Sequence, residues 1–159
     1  MYKQPSGDLL KARLLSAAEV HFILAEAALK GWNVGDAQAH YEMGVQSSLE
    51  TWGVGDTFSD YIAEPGVAFD GTLEQIMEQK WIASWTAATE AWFDYRRTGL
   101  PALQAGPAAN RPVLPVRFYY GQNELMLNAD NATTAVNGLE ITGFSQADGN
   151  NSAWSKQWL

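Results

Sequence analysis

The amino-acid sequence predicts a mainly α-helical protein, and three observations support this fold class. Apolar residues recur at helical spacing in three separate segments. Residues with the spacing of an N-terminal helix cap precede two of these segments. The last third of the chain is rich in Pro, Ala, Gly and Asn and has no helical pattern of comparable length. We therefore expect helices in the first two thirds and extensive irregular coil in the C-terminal third.

The first predicted helix runs from about Ala17 to Leu29. Ser16 and Glu19 have capping-box spacing, in which each side chain satisfies an exposed backbone donor at the start of a helix. Gly31 ends the pattern. Apolar residues that fall near one face of this helix are Leu14, Ala18, Phe22, Ala25 and Leu29. The helix is expected to be largely buried.

The second predicted helix runs from about Ala37 to Trp52 and ends at the glycines that follow. A short connection makes it an antiparallel neighbour of the first helix. Ala25, Ala28 and Gly44 are small, so the two axes can approach closely, as in a tetratricopeptide-like helix pair. The chain contains one such pair, and one pair does not make a solenoid.

The third predicted helix is long and Trp-rich, from Leu73 to about Tyr95. Thr72 and Gln75 have capping-box spacing at its start, and Gly99 with the proline two positions later closes it. Three tryptophans share one face at near-helical spacing, and the simplest interpretation is that they pack in the core. These tryptophans are Trp81, Trp85 and Trp92.

The remaining segments are predicted to be mostly loop and coil. A short irregular helix is expected around Ser59 to Ala63. Beyond it, the run Val113 to Tyr120 contains a proline and is at best an isolated extended segment. Residues Gln122 to Ala135 are expected to hold one or two helical turns. Trp154 and Trp158 are predicted to attach the tail to the body of the protein.

Composition limits the classes of function. The chain has 159 residues, of which 47% are hydrophobic, which suits one domain over residues 1–159. Its net charge is -8 and its few basic residues are dispersed, so nucleic acid is not an expected partner. Cysteine is absent, which excludes disulfides and thiolate ligands. His21 and His40 have no metal-ligand spacing, so neither a metal site nor a cofactor is predicted.

The sequence offers little support for catalysis. It contains no Gly-x-Ser-x-Gly or Ser-x-x-Lys motif, so nucleophilic catalysis is not predicted. The best pair of carboxylates is Glu90 with Asp94, four positions apart beside aromatic residues, as acid-catalysed glycosidic cleavage would need. However, Asp94 also precedes Arg97 by three positions, where an ordinary ion pair on the helix surface explains it.

One string carries a family resemblance: Ala91-Trp-Phe-Asp-Tyr-Arg-Arg-Thr-Gly-Leu-Pro101. Together with Glu90, it resembles the end of a characteristic helix in the SusD/RagB family of outer-membrane nutrient-binding lipoproteins. Further stretches match that family in order along the chain: Arg13-Leu-Leu, Gln79-Lys-Trp-Ile-Ala83, Pro115-Val-Arg-Phe118 and Asn151-Ser-Ala-Trp154. The resemblance covers nearly the whole chain and identifies it as the C-terminal portion of such a protein.

The resemblance implies a function as well as a fold. Members are mainly α-helical with tetratricopeptide-like helix pairs, and they capture glycan or peptide without catalysis. They act as a hinged lid on a SusC-like TonB-dependent transporter in the outer membrane, where they are outward-facing lipoproteins. They are typically much longer than this chain and begin with a signal peptide and a lipidated cysteine. We therefore expect this sequence to be a fragment whose membrane anchor lies elsewhere.

On this interpretation the matched motif residues build the scaffold. Trp92 packs, Gly99 turns the chain after the helix, and the arginines pair with carboxylates such as Asp94 or cap carbonyls. The arginines are Arg96, Arg97 and Arg117.

Ligand contacts are predicted instead from aromatic residues in or beside loops, where a ring can stack on a sugar or peptide. These are Trp32, Trp52, Phe58, Tyr61 and Trp154. Two other classes of function stay open, a tetratricopeptide-like protein-interaction module and a fragment of a carbohydrate-active enzyme.

Overall fold

The computed structural model describes residues 13–157, and the mainly α-helical prediction is confirmed. Among these residues there are seven α-helices and no strand longer than an isolated bridge. The helices are α1 (Ala17–Leu29), α2 (Ala37–Thr51), α3 (Phe58–Ile62), α4 (Leu73–Ala83), α5 (Ala88–Thr98), α6 (Gln122–Leu127) and α7 (Ala129–Asn137). The chain forms two compact units, Met1–Asp94 and Tyr95–Leu159.

Helices α1, α2 and α4 pack together around the core of the first unit. Phe22 meets Tyr41 edge to face with ring centroids 6.0 Å apart, and the Phe69 ring lies 5.0 Å from that of Tyr41. A Cβ atom placed on Gly44 would be 2.9 Å from the Phe22 ring, so the absent side chain lets the helices approach. The predicted close contact between the first two helices is confirmed.

The caps that the sequence predicts are present at two helix starts. Ser16 Oγ accepts a hydrogen bond from the Glu19 backbone N–H at 3.0 Å, and α1 begins at the next residue, Ala17. Thr72 Oγ1 accepts one from the Gln75 N–H at 3.2 Å at the start of α4. These bonds satisfy donors that the first turn of a helix leaves unpaired.

The long third helix was predicted wrongly, because the chain forms α4 and α5 with a turn between them. The Ala87 N–H donates to the Ser84 carbonyl at 2.7 Å in this turn. Ser84 and Thr86 have lower helix propensity than the Leu, Glu, Gln, Met and Lys residues that predominate in α4, which favours an interruption of the helix here.

The prediction that Trp81 and Trp85 pack in the core is also wrong. Their side chains are 43% and 57% exposed, whereas Trp92 is half-buried. Polar residues occupy the buried face of α4 beside Ile76 and Met77, namely Gln75, Gln79 and Lys80. This is possible because the buried polar groups have partners: Gln75 Nε2 donates to the Tyr41 hydroxyl at 2.9 Å, and Lys80 pairs with Asp94.

The second unit is held together by its C-terminal tail. The backbone N–H groups of Val116 and Arg117 both donate to the Ala153 carbonyl, at 2.9 and 3.2 Å. Asn151 pairs with the backbone of Tyr120, accepting at 2.8 Å and donating at 3.0 Å. Helices α6 and α7 fall where helical turns were expected. Trp158 lies outside the described residues.

In the part of the chain that the structure describes, no helix is long and apolar enough to cross a membrane.

Candidate functional site

The predicted ligand residues fall in both units. Trp32, in the loop between α1 and α2, is 67% exposed. Phe58 and Tyr61 are half-buried in α3, and the Tyr61 hydroxyl donates to Gln79 Oε1 at 3.0 Å, which ties α3 to α4. Tyr61 therefore contributes to packing inside the first unit.

Trp52 belongs to an aromatic pair at the end of α2. Its ring centroid lies 5.0 Å from that of Trp85, with 45° between the planes. The guanidinium carbon of Arg13 lies 4.5 Å from the Trp52 centroid, a cation–π distance. Arg13 and Trp85 both cover part of the Trp52 ring. Of the two tryptophans, Trp85 is therefore the more exposed. The helical spacing predicted a core position for Trp85, but this residue lies at the surface.

Trp154 lines a pocket in the second unit. The pocket has a volume of about 330 Å³, within the range of small-molecule sites. Its walls combine apolar side chains with cationic and hydroxyl groups. The lining residues are Tyr95, Arg96, Arg97, Thr98, Gly99, Val113, Leu114, Val116, Thr142, Gly143, Phe144, Trp154 and Lys156.

The Trp154 ring is fixed in place by contacts around it. Its indole N–H donates to the Val113 carbonyl at 3.1 Å. The Arg111 guanidinium lies 3.9 Å from the ring centroid and is held by Asp148 at 2.6 Å. Ser152 Oγ donates to the other oxygen of Asp148 at 2.6 Å. This arrangement orients an aromatic ring before any ligand arrives.

The charges around Trp154 stabilise one another. The hydrogen bonds from Arg111 and Ser152 lower the pKa of the Asp148 carboxyl. Asp148 in turn raises the pKa of Arg111, so both groups stay ionised over a wide pH range. The ion pair therefore holds Arg111 over the ring across that range.

The motif arginines lie at and near the same pocket. Arg96 Nη2 donates to Gln157 Oε1, and both Arg96 and Arg97 line the pocket. Arg117 is buried and donates to the Ser152 carbonyl at 2.9 Å. Burial lowers the pKa of Arg117. Gly99 has a φ of 76°, which lets the chain leave α5 in a left-handed turn.

Three residues of this pocket were not predicted as site residues: Thr142, Phe144 and Lys156. All three lie in the coil that follows α7. The tail meets this coil where the Glu140 and Lys156 backbones exchange hydrogen bonds of 2.9 Å. No local sequence pattern marks such a contact, because it depends on which coil segments meet.

The carboxylates proposed for catalysis have different environments. Glu90 is exposed on α5, whereas Asp94 Oδ2 lies 2.7 Å from Lys80 Nζ. Asp94 therefore pairs with a buried lysine of α4, in addition to any contact on its own helix. Within residues 13–157, no three His, Asp or Glu side chains cluster as metal ligands would.

Comparison with known proteins decides the family. A family model described as "Starch-binding associating with outer membrane" matches residues 3–121, three quarters of the chain. The chain belongs to the SusD-like family. This confirms the resemblance carried by the Arg-Arg-Thr-Gly string. None of the curated proteins matches the sequence significantly.

Solved SusD-like structures share the fold. A SusD-like protein of Bacteroidetes AC2a is 29% identical with a TM-score of 0.77, covering 96% of this chain and 32% of its own. A SusD homologue from Bacteroides thetaiotaomicron is 26% identical with a TM-score of 0.73, covering 91% and 37%. A chitin-binding SusD homologue from Flavobacterium johnsoniae is 31% identical with a TM-score of 0.66, covering 89% and 36%. The SusD-like chain thus spans about a third of the length of these relatives.

Proposed function

We propose that this SusD-like chain belongs to a protein that captures a glycan at the outer-membrane surface without cleaving it. The observation that carries the proposal is the pocket around Trp154, whose ring is oriented in advance by Val113 and Arg111. A fixed aromatic ring stacks on a sugar without the entropy cost of ordering a mobile side chain. The family description, which names starch binding and the outer membrane, supports the same class of ligand.

The pocket suits a short stretch of glycan. Its volume of about 330 Å³ lies near the lower end of small-molecule sites. Phe144 and Leu114 supply apolar wall, which matches the C–H faces of a sugar ring. Lys156 supplies an ammonium group that hydrogen-bonds sugar hydroxyls, while the Thr142 hydroxyl donates to the Trp154 carbonyl and so supports the pocket wall. Such a site would bind part of a longer chain and leave the rest in solvent.

Chitin oligosaccharides are the first ligands to test. Two of the solved relatives are named as chitin-binding, and each is 31% identical to this chain. Their N-acetyl groups add an apolar methyl and an amide to each ring, which fits a pocket with both apolar and polar walls. Peptide remains the alternative ligand, since aromatic rings stack on peptide side chains as well.

We further propose that the complete protein is an outward-facing outer-membrane lipoprotein that delivers its ligand to a SusC-like TonB-dependent transporter. The description of the family as associating with the outer membrane supports this location. Delivery would require release, so the captured glycan should bind reversibly and with moderate affinity. A pocket that contacts only part of the ligand meets this requirement.

Isothermal titration calorimetry of the full 159-residue chain tests the proposal. The ligands are chitin, starch and xylan oligosaccharides and a peptide mixture, with chromatography of each sample to detect products. We expect saturable glycan binding without products. Trp154→Ala and Phe144→Ala should each weaken it by about tenfold or more, because each removes a wall of the pocket. Tyr119→Ala, an exposed aromatic outside the pocket, is the control and should bind normally.

Each other outcome has a definite meaning. Unchanged affinity in both pocket variants would reject the pocket, and Trp85→Ala would then test the tryptophan pair. Binding of peptide alone would reject a glycan ligand. Products that disappear in Asp94→Asn or Glu90→Gln would establish an enzyme and overturn the proposal.

A further inference from the structure

His21 and His40 contact each other across the interface between α1 and α2. Their Nδ1 atoms are 3.3 Å apart, and the ring centroids are 5.5 Å apart with 30° between the planes. They are the only two histidines of the sequence. No metal site was predicted for these residues, because ligand-spacing rules describe residues on one helix. The antiparallel packing of α1 and α2 brings together residues 19 positions apart.

The orientation of His40 determines where its proton lies. Its Nε2 atom is 2.9 Å from the Val34 carbonyl oxygen, which can only accept a hydrogen bond. The proton of the neutral ring is therefore on Nε2, and Nδ1 presents a lone pair to His21. In the neutral pair, the Nδ1–H of His21 donates to that lone pair, and in the metal-bound pair the His21 proton would lie on its Nε2 atom instead. In this tautomer, the lone pair on Nδ1 of His40 is available to bind a metal ion.

The loop between the helices is shaped to hold the His40 ring. Gly35 has a φ of 112°, a conformation that residues with side chains rarely adopt. A Cβ atom at Gly35 would lie 3.1 Å from Nε2 of His40. The glycine therefore lets the loop backbone reach the ring, so that the Val34 carbonyl accepts the hydrogen bond from His40 Nε2–H. This contact fixes the ring independently of His21.

We propose that His21 and His40 together bind a late first-row transition metal ion, such as Zn²⁺ or Cu²⁺, through their Nδ1 atoms. Two nitrogens at about 2.0–2.1 Å from a tetrahedral metal are about 3.3–3.4 Å apart, which matches the observed separation. Imidazole ligands suit these ions. A hydrogen bond from the second ring nitrogen to a backbone carbonyl, as in His40, is the usual support of a ligating histidine.

The site would offer two protein ligands and leave the other positions open. Among residues 13–157, no third His, Asp or Glu side chain joins the pair in a metal-binding group. Both rings are half-buried, so a hydrated ion can reach them. Water, or a ligand that brings its own donor atoms, would complete the coordination. Binding at this site does not depend on the glycan proposal, because the pair belongs to the first unit and the pocket to the second.

Nuclear magnetic resonance of the tag-free full chain tests the proposal without any substitution. Only two imidazole spin systems exist, so both are identifiable. Addition of Zn²⁺ should shift the Nδ1 signals of both rings together and saturate near one equivalent, whereas Mg²⁺, which prefers oxygen ligands, should shift neither. Absence of a Zn²⁺-dependent shift in either ring would overturn the proposal.

Variants then assign the ligands. His21→Gln and His40→Gln should each weaken Cu²⁺ binding by about tenfold or more, and the electron paramagnetic resonance spectrum should lose one coordinated nitrogen in each. Gln38→Ala, an exposed residue on α2, is the control and should bind as the unmodified chain does. Circular dichroism verifies that each variant is folded. Equal Cu²⁺ affinity and an unchanged spectrum in the double histidine variant would place the ion elsewhere and reject the site.

Discussion

Lys80 Nζ lies 2.7 Å from Asp94 Oδ2, and the two side chains are only 7% and 15% exposed. The pair joins α4 to α5 inside the first unit. It explains how a lysine can occupy the inward face of α4 where an apolar residue was expected. A buried charge is tolerated when an opposite charge neutralises it at hydrogen-bonding distance.

Removal of one charge of this pair should destabilise the protein strongly. Lys80→Met leaves Asp94 without its buried lysine partner, and we expect the free energy of unfolding to fall by about 3 kcal/mol. Chemical denaturation monitored by circular dichroism measures the change. The control is Gln46→Ala, which removes an exposed side-chain hydrogen bond to Glu50 and should cost less than about 1 kcal/mol. If the free energy of unfolding fell equally in the two variants, burial of the Lys80–Asp94 pair would not determine its contribution.

Gly44→Ala should destabilise the contact between α1 and α2. The new Cβ atom would meet the Phe22 ring at 2.9 Å, and that ring is completely buried, so it has little space to move. Overpacking of this kind costs about 1–3 kcal/mol, more than the gain in helix propensity from glycine to alanine. Thermal unfolding measures the difference. Gly106→Ala has open space around it and should leave the melting temperature nearly unchanged.

The helix caps and the Gly44 contact could be predicted because each depends on a few residues within a known local pattern. Ser16 and Thr72 precede helices at capping-box spacing, and a glycine opposite an aromatic residue permits close packing. Such features involve one helix, or two that follow each other in the chain. Local sequence was therefore sufficient to predict the bounds of the first two helices almost as they are observed.

The features that could not be predicted depend on which segments meet and on the exact register in which they pack. Hydrophobicity predicted that Trp81 lies on the inward face of α4. Lys80 is buried there instead, because Asp94 neutralises its charge. The pocket around Trp154 arises because the tail packs on residues 113–120. The contact between His21 and His40 depends on the register of two antiparallel helices. In each case, the decisive partner lies on a separate element of the fold.

Stability at high pH should depend on Tyr41. Its hydroxyl donates to the Val67 carbonyl at 2.5 Å and accepts from Gln75, and burial raises the pKa of Tyr41 to about 12. An unfolded tyrosine ionises near pH 10, so above that pH the unfolded state loses the proton first. The stability that Tyr41 provides is thus complete below about pH 10 and is lost as the pH rises to about 12.

Denaturation midpoints measured from about pH 8 to about pH 11 test this dependence. The unmodified chain should lose stability above about pH 10. The Tyr41→Phe variant should lose less over the same range, because phenylalanine at position 41 cannot ionise. At pH 7, Tyr41→Phe should cost about 1–3 kcal/mol, since the Val67 carbonyl loses its buried donor. Parallel curves for the two proteins would show that another group controls the alkaline transition.

Arg111 should control how firmly Trp154 is held in the pocket. Asp148 places the Arg111 guanidinium over the indole ring at 3.9 Å, while the indole N–H donates to Val113. Arg111→Met removes the cation from the ring but keeps an apolar chain of similar length. The Trp154 indole proton should then exchange with solvent several times faster, and glycan affinity should fall by about threefold to tenfold because the ring is less ordered. Asp148→Asn should produce the same changes in weaker form, since it removes the charge that positions Arg111.

Hydrogen exchange followed by nuclear magnetic resonance measures the first effect, and calorimetry measures the second. Lys30→Ala, which alters an ion pair in the other unit, serves as the control for both. The pH dependence provides a separate test. Because Arg111 lowers the pKa of Asp148, slow exchange should persist as the pH falls through the range where ordinary carboxyls protonate, and it should be lost only below that range. If exchange accelerated in Arg111→Met while glycan affinity stayed constant, order in the Trp154 ring would not determine binding, and the stacking role of that ring would be rejected.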